Sequence, residues 1–207
     1  MKKLILLLLL LSFGVKAQDV VILKHQNYTS HFSKSKRYPV LVEWETTHAM
    51  VGCPTPLKRK DNFKPDPQLP VETNIGADYV KSGYDRGHVM PAADNLCQTP
   101  QIQDECFYFS NMVAQTHRLN AGDWKSLETA TRNWALISAK IKVWSGSVGE
   151  QKKIGSVSVP TQCWKVIEIA GKKTAYLFNN DLSNPDGFAN NEVPVSQIEK
   201  LTGFSFK

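Results

Sequence analysis

The sequence predicts a single α+β domain in which a central, mostly antiparallel sheet is flanked by helices. Three observations support this class of fold. Apolar and polar residues alternate in an early segment, one long stretch has helical spacing, and several short β-prone runs follow it between Gly and Pro breaks. The chain of 207 residues can form one domain with a sizeable core, and we assign residues 18–207 to that domain.

The first half of the domain contains two predicted strands and one long loop. Residues 38–46 (YPVLVEWET) alternate in the way that a half-buried strand does. Residues 54–70 are rich in proline and charge, which indicates an ordered surface loop. Residues 106–110 (CFYFS) are short, aromatic and bounded by polar residues, as is typical of a buried strand.

One helix is predicted over residues 121–139. Asn120 precedes it, and asparagine is a residue type that commonly caps a helix N-terminus. Apolar residues recur at helical spacing and are expected to face the core. These residues are Trp124, Leu127, Trp134 and Ile137.

The sequence of the second half of the domain predicts further strands and a closing helix. The β-prone runs are residues 141–144, 157–159, 164–169 and 174–178. In the last segment Val195, Ile198 and Leu201 have helical offsets, and Gly203 stands where a helix C-cap is expected. The chain is therefore expected to end on a short helix.

The first 17 residues (MKKLILLLLLLSFGVKA) indicate a cleavable signal peptide. Two lysines precede an apolar run, and cleavage is expected near Ala17. The run is shorter than the roughly 20 residues that span a bilayer, so we favour removal over a retained anchor and expect no membrane association afterwards. Cleavage removes three lysines and no acids, which changes the net charge from +6 to +3. The protein is predicted to be secreted or periplasmic, and its mild positive charge permits a polyanionic partner without identifying one.

Four cysteines enter this oxidising compartment, where thiols usually pair. Cys53, Cys97, Cys106 and Cys163 allow three connectivities. We favour Cys97 with Cys106, which would close a short loop and leave Cys53 for Cys163, although the sequence leaves the other pairings open. A zinc site is the competing interpretation, but the sequence has no C-x2-C or H-x3-H spacing.

Candidate chemistry is concentrated in two segments, of which the first is residues 84–95 (YDRGHVMPAADN). It places Asp85, Arg86, Gly87 and His88 in consecutive positions. A histidine can accept a proton from water near neutral pH, and an arginine beside it can bind phosphate with two hydrogen bonds. Glycine allows the backbone to approach a substrate closely.

The second segment is residues 110–128 (SNMVAQTHRLNAGDWKSLE), which contributes oxygen ligands. Asn111, Asn120 and Glu128 lie around the start of the predicted helix. Magnesium takes oxygen ligands and often only one or two from the protein, so one asparagine can be enough. A helix separates Asn120 and Glu128 by about 12 Å, so Glu128 is expected to contact a metal-bound water, with Arg132 as its i, i+4 partner.

Each of these residues also has an ordinary structural interpretation. Asn120 considered alone could be a helix cap, and Glu128 could form a surface ion pair with Arg132. His88 could be a structural histidine whose ring nitrogens are hydrogen-bonded within the fold. Their occurrence together favours an active site.

The two segments together resemble the DNA/RNA non-specific endonuclease family, the ββα-metal nucleases that include secreted bacterial enzymes and mitochondrial endonuclease G. Residues 85–88 followed by residues 90–94 (MPAAD) are similar to the family's catalytic signature. The metal-binding signature is matched by Asn111, Gln115, Asn120, Gly122, Trp124, Leu127 and Glu128. Weaker similarity extends to residues 61–63, 159–161 and 164–165, and Ala114 stands where the family usually has proline.

The resemblance implies a ββα-metal active-site motif and a role for each matched residue. His88 would be the general base, and Asn120 would bind one Mg²⁺, with Mn²⁺ as a possible substitute. Glu128 would order metal-bound water. Arg86 and Arg132 would contact phosphate or steady the site, and Arg59 or Lys60 of the loop would contact phosphate. Asn111 would hold neighbouring side chains by hydrogen bonds, and Asp85 and Gly87 would be structural.

The implied function is hydrolysis of phosphodiester bonds in DNA and RNA with little sequence specificity, because no base-reading motif is present. DNA and RNA are the expected partners, no stable protein partner is predicted, and the oligomeric state is left open. Three alternatives remain: a catalytically silent binder of nucleic acid or another polyanion, a disulfide-stabilised surface protein, and a phosphodiesterase for small nucleotides.

Overall fold

A computed structural model of the chain describes residues 19–138 and 140–206. The predicted signal peptide lies outside the described residues. The strands are β1 Val20–Lys24, β2 Tyr28–Ser33, β3 Tyr38–Thr47, β4 Asp85–His88, β5 Met112–Gln115, β6 Lys140–Val148, β7 Lys152–Ile154, β8 Val157–Val159, β9 Gln162–Ile169, β10 Lys172–Asn179 and β11 Glu192–Val193. The α-helices are α1 His48–Val51, α2 Pro100–Glu105, α3 His117–Leu119, α4 Lys125–Ile137 and α5 Val195–Thr202. None of the helices in the described ranges has the length and apolar character needed to cross a membrane.

Seven strands form one antiparallel sheet in the order β1, β2, β3, β6, β9, β10, β11. The predicted α+β class with a central antiparallel sheet is confirmed. The predicted strand at residues 38–46 and the four β-prone runs of the second half are present. The run at residues 157–159 has the predicted bounds and belongs to a separate two-stranded sheet, whereas the other strands are longer than predicted. β1 and β2 were not predicted.

Each face of the sheet is covered by a different layer, because successive residues of a strand point to opposite sides. On β9, Trp164 and Val166 pack with Ile198 of α5 and with Phe206. Cys163 and Ile167 point to the other face, where they join Leu127 of α4 in the largest apolar cluster. The active-site elements lie on this second face.

A smaller unit packs beside the sheet. β4 and β5 pair antiparallel, with Asp85 opposite Gln115 and His88 opposite Met112. The β7–β8 hairpin covers them through an apolar cluster that includes Met112, Phe109 and Val157. This packing holds β4 against a rigid support.

Two predicted elements are corrected. Residues 106–110 are not a strand: they form a turn that leads into a 3-10 helix at Phe109–Asn111, and the strand that pairs with β4 begins at Met112. The predicted helix begins earlier, because Thr116 caps α3 by accepting a hydrogen bond from the Leu119 amide. Asn120 has helical φ and ψ and is therefore not the N-cap. Ile137 is 86% exposed at the end of α4, so it is not a core residue.

The favoured disulfide pairing is also wrong. The structure joins Cys53 to Cys97, and Cys106 and Cys163 are free and buried. The Cys97 amide donates to the Met50 carbonyl, which holds the segment after His88 against α1 and brings Cys97 to Cys53. Cys106 instead accepts a hydrogen bond from Asn95 in the core.

Candidate active site

β4, β5 and the helical segment that follows β5 form one continuous unit around a cleft of about 300 Å³. The chain turns directly from β5 into α3, then through a π-helical turn at Asn120–Trp124 into α4. This turn is irregular, since Gly122 has φ −96° and ψ −114°. Six polar residues that the sequence singled out line the cleft: Arg59, Arg86, His88, Asn120, Glu128 and Arg132.

The Asn120 side chain is held in one orientation by Asp85. Its Nδ2 atom donates to Asp85 Oδ2 at 2.9 Å, and His117 Nδ1 lies 2.8 Å from the same oxygen. Because the amide nitrogen is engaged by Asp85, the Oδ1 atom is the group left to accept a ligand. Asp85 is thus the acceptor that orients the Asn120 side chain, and this side chain does not cap the helix.

His88 is a buried imidazole in an apolar and cationic environment. Its ring is 4.9 Å from the Phe107 ring and 5.5 Å from the Phe63 ring, centroid to centroid. The His88 Nε2 atom is buried without a hydrogen-bond partner among the described residues. Burial lowers the pKa of His88 to about 3, and the positive charges of Arg59 and Arg86 act in the same direction. The imidazole is therefore neutral at physiological pH and able to accept a proton.

The Trp124 indole connects the helical segment to β4. Its Nε1 atom donates to the backbone carbonyl of His88 at 3.1 Å. Trp124 is 1% exposed, so this bond lies in the core. It fixes the backbone of the histidine relative to the segment that bears Asn120.

Two arginines flank His88 through stacking on the same aromatic rings. The Arg86 guanidinium lies 4.2 Å from the Phe63 centroid, and that of Arg59 lies 5.3 Å from the Phe107 centroid. Both guanidinium groups are on exposed side chains, where they can meet a substrate. Arg59, and not Lys60, is the loop residue that the structure places in the cleft.

Glu128 lies on α4 at the cleft and is only partly buried as a residue. Desolvation of its carboxyl group raises the pKa of Glu128 to about 7, and Lys165 is the largest of the positive charges that oppose this rise. A carboxyl group with such a pKa changes its charge near neutral pH.

The predicted ion pair between Arg132 and Glu128 is not formed, because Arg132 pairs with Asp94 instead. Its Nη1 atom donates to Asp94 Oδ1 at 3.3 Å, and its Nη2 atom to Thr129. Asp94 is 1% exposed and also accepts hydrogen bonds from Trp44 and Thr46, so it is a buried acceptor that fixes the guanidinium. Arg132 therefore lines the cleft, but its guanidinium group is hydrogen-bonded to Asp94 and Thr129.

Asn111 and Gly87 do not line the cleft but are buried next to residues that do. Asn111 is fully buried; its side chain accepts from the Met90 amide and donates to the carbonyls of Met90 and Cys106. It holds backbone groups, not neighbouring side chains, and it does not line the cleft. A Cβ atom on Gly87 would collide with the Gln115 side chain on β5, so glycine at this position leaves room for Gln115 to pack against β4.

Three further residues of the site had no predicted role. Phe63 and Phe107 stack on the arginines, and Lys165 is a buried lysine whose Nζ atom lies 4.3 Å from the Trp124 ring centroid. The available signal for Lys165 was a charged residue inside the apolar run of β9. Phe63 lies in a loop that is 22 or more residues from either signature segment, so only the fold brings it to His88.

The oxygen donors of the cleft fit a hard divalent cation. The oriented amide oxygen of Asn120 is available to such an ion, and magnesium commonly takes few protein ligands and retains several waters. Two antiparallel strands followed by a helix, with a histidine on the first strand and this amide in the helical segment, define the ββα-metal class of nucleases.

The chain belongs to the DNA/RNA non-specific endonuclease family, which matches residues 9–207. It is accordingly a hydrolase, and the family is metal-dependent. A chain in the crystal structure of the EndoG/EndoGI complex superimposes with a TM-score of 0.79 at 28% identity, covering 89% of this chain and 84% of that chain.

Similar sequences are nucleases from bacteria, fungi and animals. A nuclease of Nostoc sp. is 29% identical over 91% of this chain and 73% of its own length. Nuclease C1 of Cunninghamella echinulata is 27% identical over 95% of this chain and 86% of its own. The mitochondrial nuclease EXOG of Homo sapiens is 29% identical over 86% of this chain but only 55% of its own length, so the chain spans little more than half of that relative.

Proposed function

We propose that the protein is a magnesium-dependent endonuclease that hydrolyses DNA and RNA with little sequence specificity. The observation that carries this proposal is the neutral imidazole of His88 in one cleft with the oriented amide oxygen of Asn120. Family membership supplies the substrate class, and the cleft supplies a base, a ligand for a cation and two exposed guanidinium groups.

His88 takes the proton from the attacking water in this mechanism. The imidazole is unprotonated before the reaction, because burial and the positive charges of Arg59 and Arg86 lower its pKa. A phosphate anion bound between these arginines would offset their charge and so favour the imidazolium that forms when His88 accepts the proton. The Phe107 and Phe63 rings restrict its motion on two sides. The backbone bond from Trp124 keeps His88 at a constant position relative to Asn120.

Arg86 and Arg59 bind the scissile phosphate. Stacking on Phe63 leaves the N–H groups of Arg86 at the edge of its guanidinium plane, where they can form paired hydrogen bonds to phosphate oxygens. Arg59 stacks on Phe107 and donates from Nε to Asp61 Oδ1 at 2.8 Å, so its Nη groups are the donors left for phosphate. Contacts of this kind position a strand without reading its bases, which accounts for weak sequence preference.

Asn120 would hold the metal ion through Oδ1. When bound, Mg²⁺ neutralises negative charge that develops on the phosphate and the leaving oxygen; Mn²⁺ has the same ligand preference and is the expected substitute. Glu128 accepts hydrogen bonds from water in the cleft and so orders the solvent around the reacting groups. Arg132, fixed by Asp94, adds positive charge at the far side.

We further propose that the protein is exported and acts outside the cytoplasm. The predicted signal peptide and the Cys53–Cys97 disulfide are both consistent with an oxidising destination. The family match begins at residue 9, within the predicted leader, and several relatives are mitochondrial. N-terminal sequencing of protein from periplasm and medium tests this: a mature end at Gln18 supports export, and an uncleaved cytoplasmic chain contradicts it.

The main test is digestion of supercoiled plasmid and ribosomal RNA by wild type and His88→Ala, with Mg²⁺ and with EDTA. Wild type should degrade both substrates only with Mg²⁺, and His88→Ala should lose roughly 10²- to 10⁴-fold in rate, the usual contribution of a general base. His48→Ala, an exposed histidine on α1, is the matched control and should retain activity. If folded wild type cleaves neither substrate with Mg²⁺ or Mn²⁺ but still binds them, the protein is the catalytically silent binder.

A further inference from the structure

Lys152 and Tyr84 form a cation–aromatic pair that does not line the cleft. The Nζ atom of Lys152 is 4.8 Å from the centroid of the Tyr84 ring. Lys152 is the first residue of β7 and is exposed, whereas Tyr84 immediately precedes β4 and is half-buried. Contact with the ring restricts the lysine side chain, so its ammonium group is held at a defined place on the surface.

Tyr84 lies on the side of β4 that bears Arg86 and His88. Side chains alternate along an extended chain, so these three residues point the same way. The packing agrees with this alternation, because Tyr84 contacts an apolar cluster that includes Met112 and Ala114. These two residues of β5 are the partners of His88 and Arg86 in the strand pairing.

The pair extends the positively charged surface that begins in the cleft. Arg86 stacks on Phe63 at 4.2 Å, and the Phe63 ring is 5.5 Å from the ring of His88. Tyr84 is two residues further from His88 than Arg86 is, a step of about 7 Å along an extended chain. Phe63 and Tyr84 pack against the same apolar cluster, so the two rings share one support. A nucleic-acid strand that is held at Arg86 and runs along β4 therefore passes Lys152.

The charges around the pair favour an anion. Lys152 forms no ion pair with an acid within residues 19–138 and 140–206. Two carboxylates on the adjoining segments have partners of their own. Asp85 points to the other side of β4, where it orients Asn120. Asp78 lies against the β7–β8 turn and accepts hydrogen bonds from the backbone and side chain of Ser156. The ammonium group can therefore meet a phosphate.

We propose that Lys152, held over Tyr84, is a phosphate-binding subsite for the nucleic-acid backbone next to the phosphate that is cleaved. The identity of this ligand rests on the proposed function. The subsite binds one phosphodiester by charge and hydrogen bonding and contacts no base, so it accepts DNA and RNA alike. It lengthens the binding surface beyond the cleft without adding a group to the chemistry.

Two lysine variants and one tyrosine variant test the subsite. Lys152→Gln removes the charge and keeps a polar side chain. Lys153→Gln is the matched control, because it makes the same change at the next exposed residue of β7, whose side chain points to the opposite side of the strand. Tyr84→Leu removes the ring beneath the ammonium group but keeps an apolar group against the cluster. Circular dichroism checks folding, and the two lysine variants decide the proposal if Tyr84→Leu does not fold.

The first measurement is the binding of a fluorescent single-stranded oligonucleotide of about 12 nucleotides in EDTA, which prevents metal-dependent cleavage. Lys152→Gln should weaken binding about 3- to 10-fold at low salt. It should also reduce the slope of log K against log salt by about 0.7, the value for one phosphate contact on a single strand. Lys153→Gln should change both quantities much less.

Three results of the binding measurement overturn the proposal. Wild type that does not bind the oligonucleotide is one, and unchanged affinity and slope in Lys152→Gln is another. Equal losses in Lys152→Gln and Lys153→Gln are the third, because they indicate general attraction by positive charge. Tyr84→Leu should weaken binding and add little to Lys152→Gln, since the ring acts through the lysine. Additive losses would reject the role of the ring.

The second measurement is cleavage, with Mg²⁺, of the same oligonucleotide and of a dinucleotide, whose single phosphodiester occupies only the cleft. Lys152→Gln should raise KM for the oligonucleotide about 3- to 10-fold with little change in kcat, because the subsite contributes binding alone. The variant should cleave the dinucleotide as wild type does. An equal loss on both substrates would place Lys152 at the reacting phosphate and reject the subsite.

Together the two measurements separate this inference from the proposed function. Binding that depends on Lys152, in a wild-type protein that cleaves neither substrate, supports the subsite and contradicts the nuclease assignment. Cleavage by wild type with no dependence of binding or KM on Lys152 supports the nuclease assignment and rejects the subsite.

Discussion

Asp85 Oδ2 accepts a hydrogen bond from Asn120 Nδ2 at 2.9 Å, which joins the first residue of β4 to the helical segment that follows β5. These residues are 35 positions apart in the chain, and the pairing of β4 with β5 brings them together. The bond determines which end of the Asn120 amide faces the cleft. It therefore connects the strand that bears His88 to the side chain that we propose binds the cation.

Asp85→Ala is expected to weaken metal binding without removing the ligand. The Asn120 amide would lose the acceptor that orients it, and loss of such supporting contacts typically reduces metal affinity or activity by about 10- to 100-fold. The measurement is the Mg²⁺ concentration at half-maximal activity. His117→Ala removes the other, exposed partner of Asp85 and should change this value only slightly; equal effects of the two variants would contradict the assignment.

Activity should decline as the pH falls below about 7 because Glu128 becomes protonated. The pKa of Glu128 is raised to about 7, whereas that of His88 is lowered to about 3, so His88 stays neutral over this range. A profile of kcat between pH 4 and 9 measures the decline. In Glu128→Gln the activity should be low and nearly independent of pH from 5 to 8; a decline near pH 7 that persists in this variant would assign it to another group.

Glu128→Gln should also stabilise the fold at alkaline pH. A carboxyl group whose folded pKa exceeds its unfolded value favours folding when protonated, and this contribution is lost as the pH rises through the folded pKa. Glu128→Gln should therefore match wild type near pH 4 and exceed it above pH 8 by about 1–2 kcal/mol, a value reduced to allow for solvent in the cleft. Urea unfolding at pH 4.5 and 8.5 tests this; a constant difference would refute the linkage.

Removal of the Cys53–Cys97 disulfide should lower the free energy of unfolding by about 2–4 kcal/mol. The bond closes a loop between residues 44 positions apart, and the loss of this constraint increases the entropy of the unfolded chain. Cys53→Ser with Cys97→Ser tests the value by urea unfolding. Reductant should destabilise wild type to the level of this double variant and leave the variant unchanged, whereas an effect of reductant on both would implicate Cys106 or Cys163.

The spacing of apolar residues along the chain correctly predicted the strands and helices that bury one face and expose the other. The strand at residues 38–46 and the closing helix were predicted because one face of each is apolar and the other polar. The run at residues 106–110 was misassigned because aromatic composition alone cannot distinguish a buried turn from a strand. The start of the helix was misplaced because Thr116 and Asn120 are both good cap residues. In the structure Thr116 accepts the hydrogen bond from the Leu119 amide, while Asn120 has helical φ and ψ and donates to Asp85 instead.

Sequence alone was enough to predict the family and the candidate site, since His88, Arg86, Asn120 and Glu128 lie in two short segments whose residue types are recognisable without a fold. Tertiary structure alone decided which groups hold them: Asp85 orients Asn120, Phe63 stacks on Arg86, Asp94 takes Arg132 away from Glu128, and Lys165 supplies the opposing charge. These partners come from distant parts of the chain. Their effects on pKa and orientation depend on burial and on distances of a few ångströms, which only the packed sheet and helices establish.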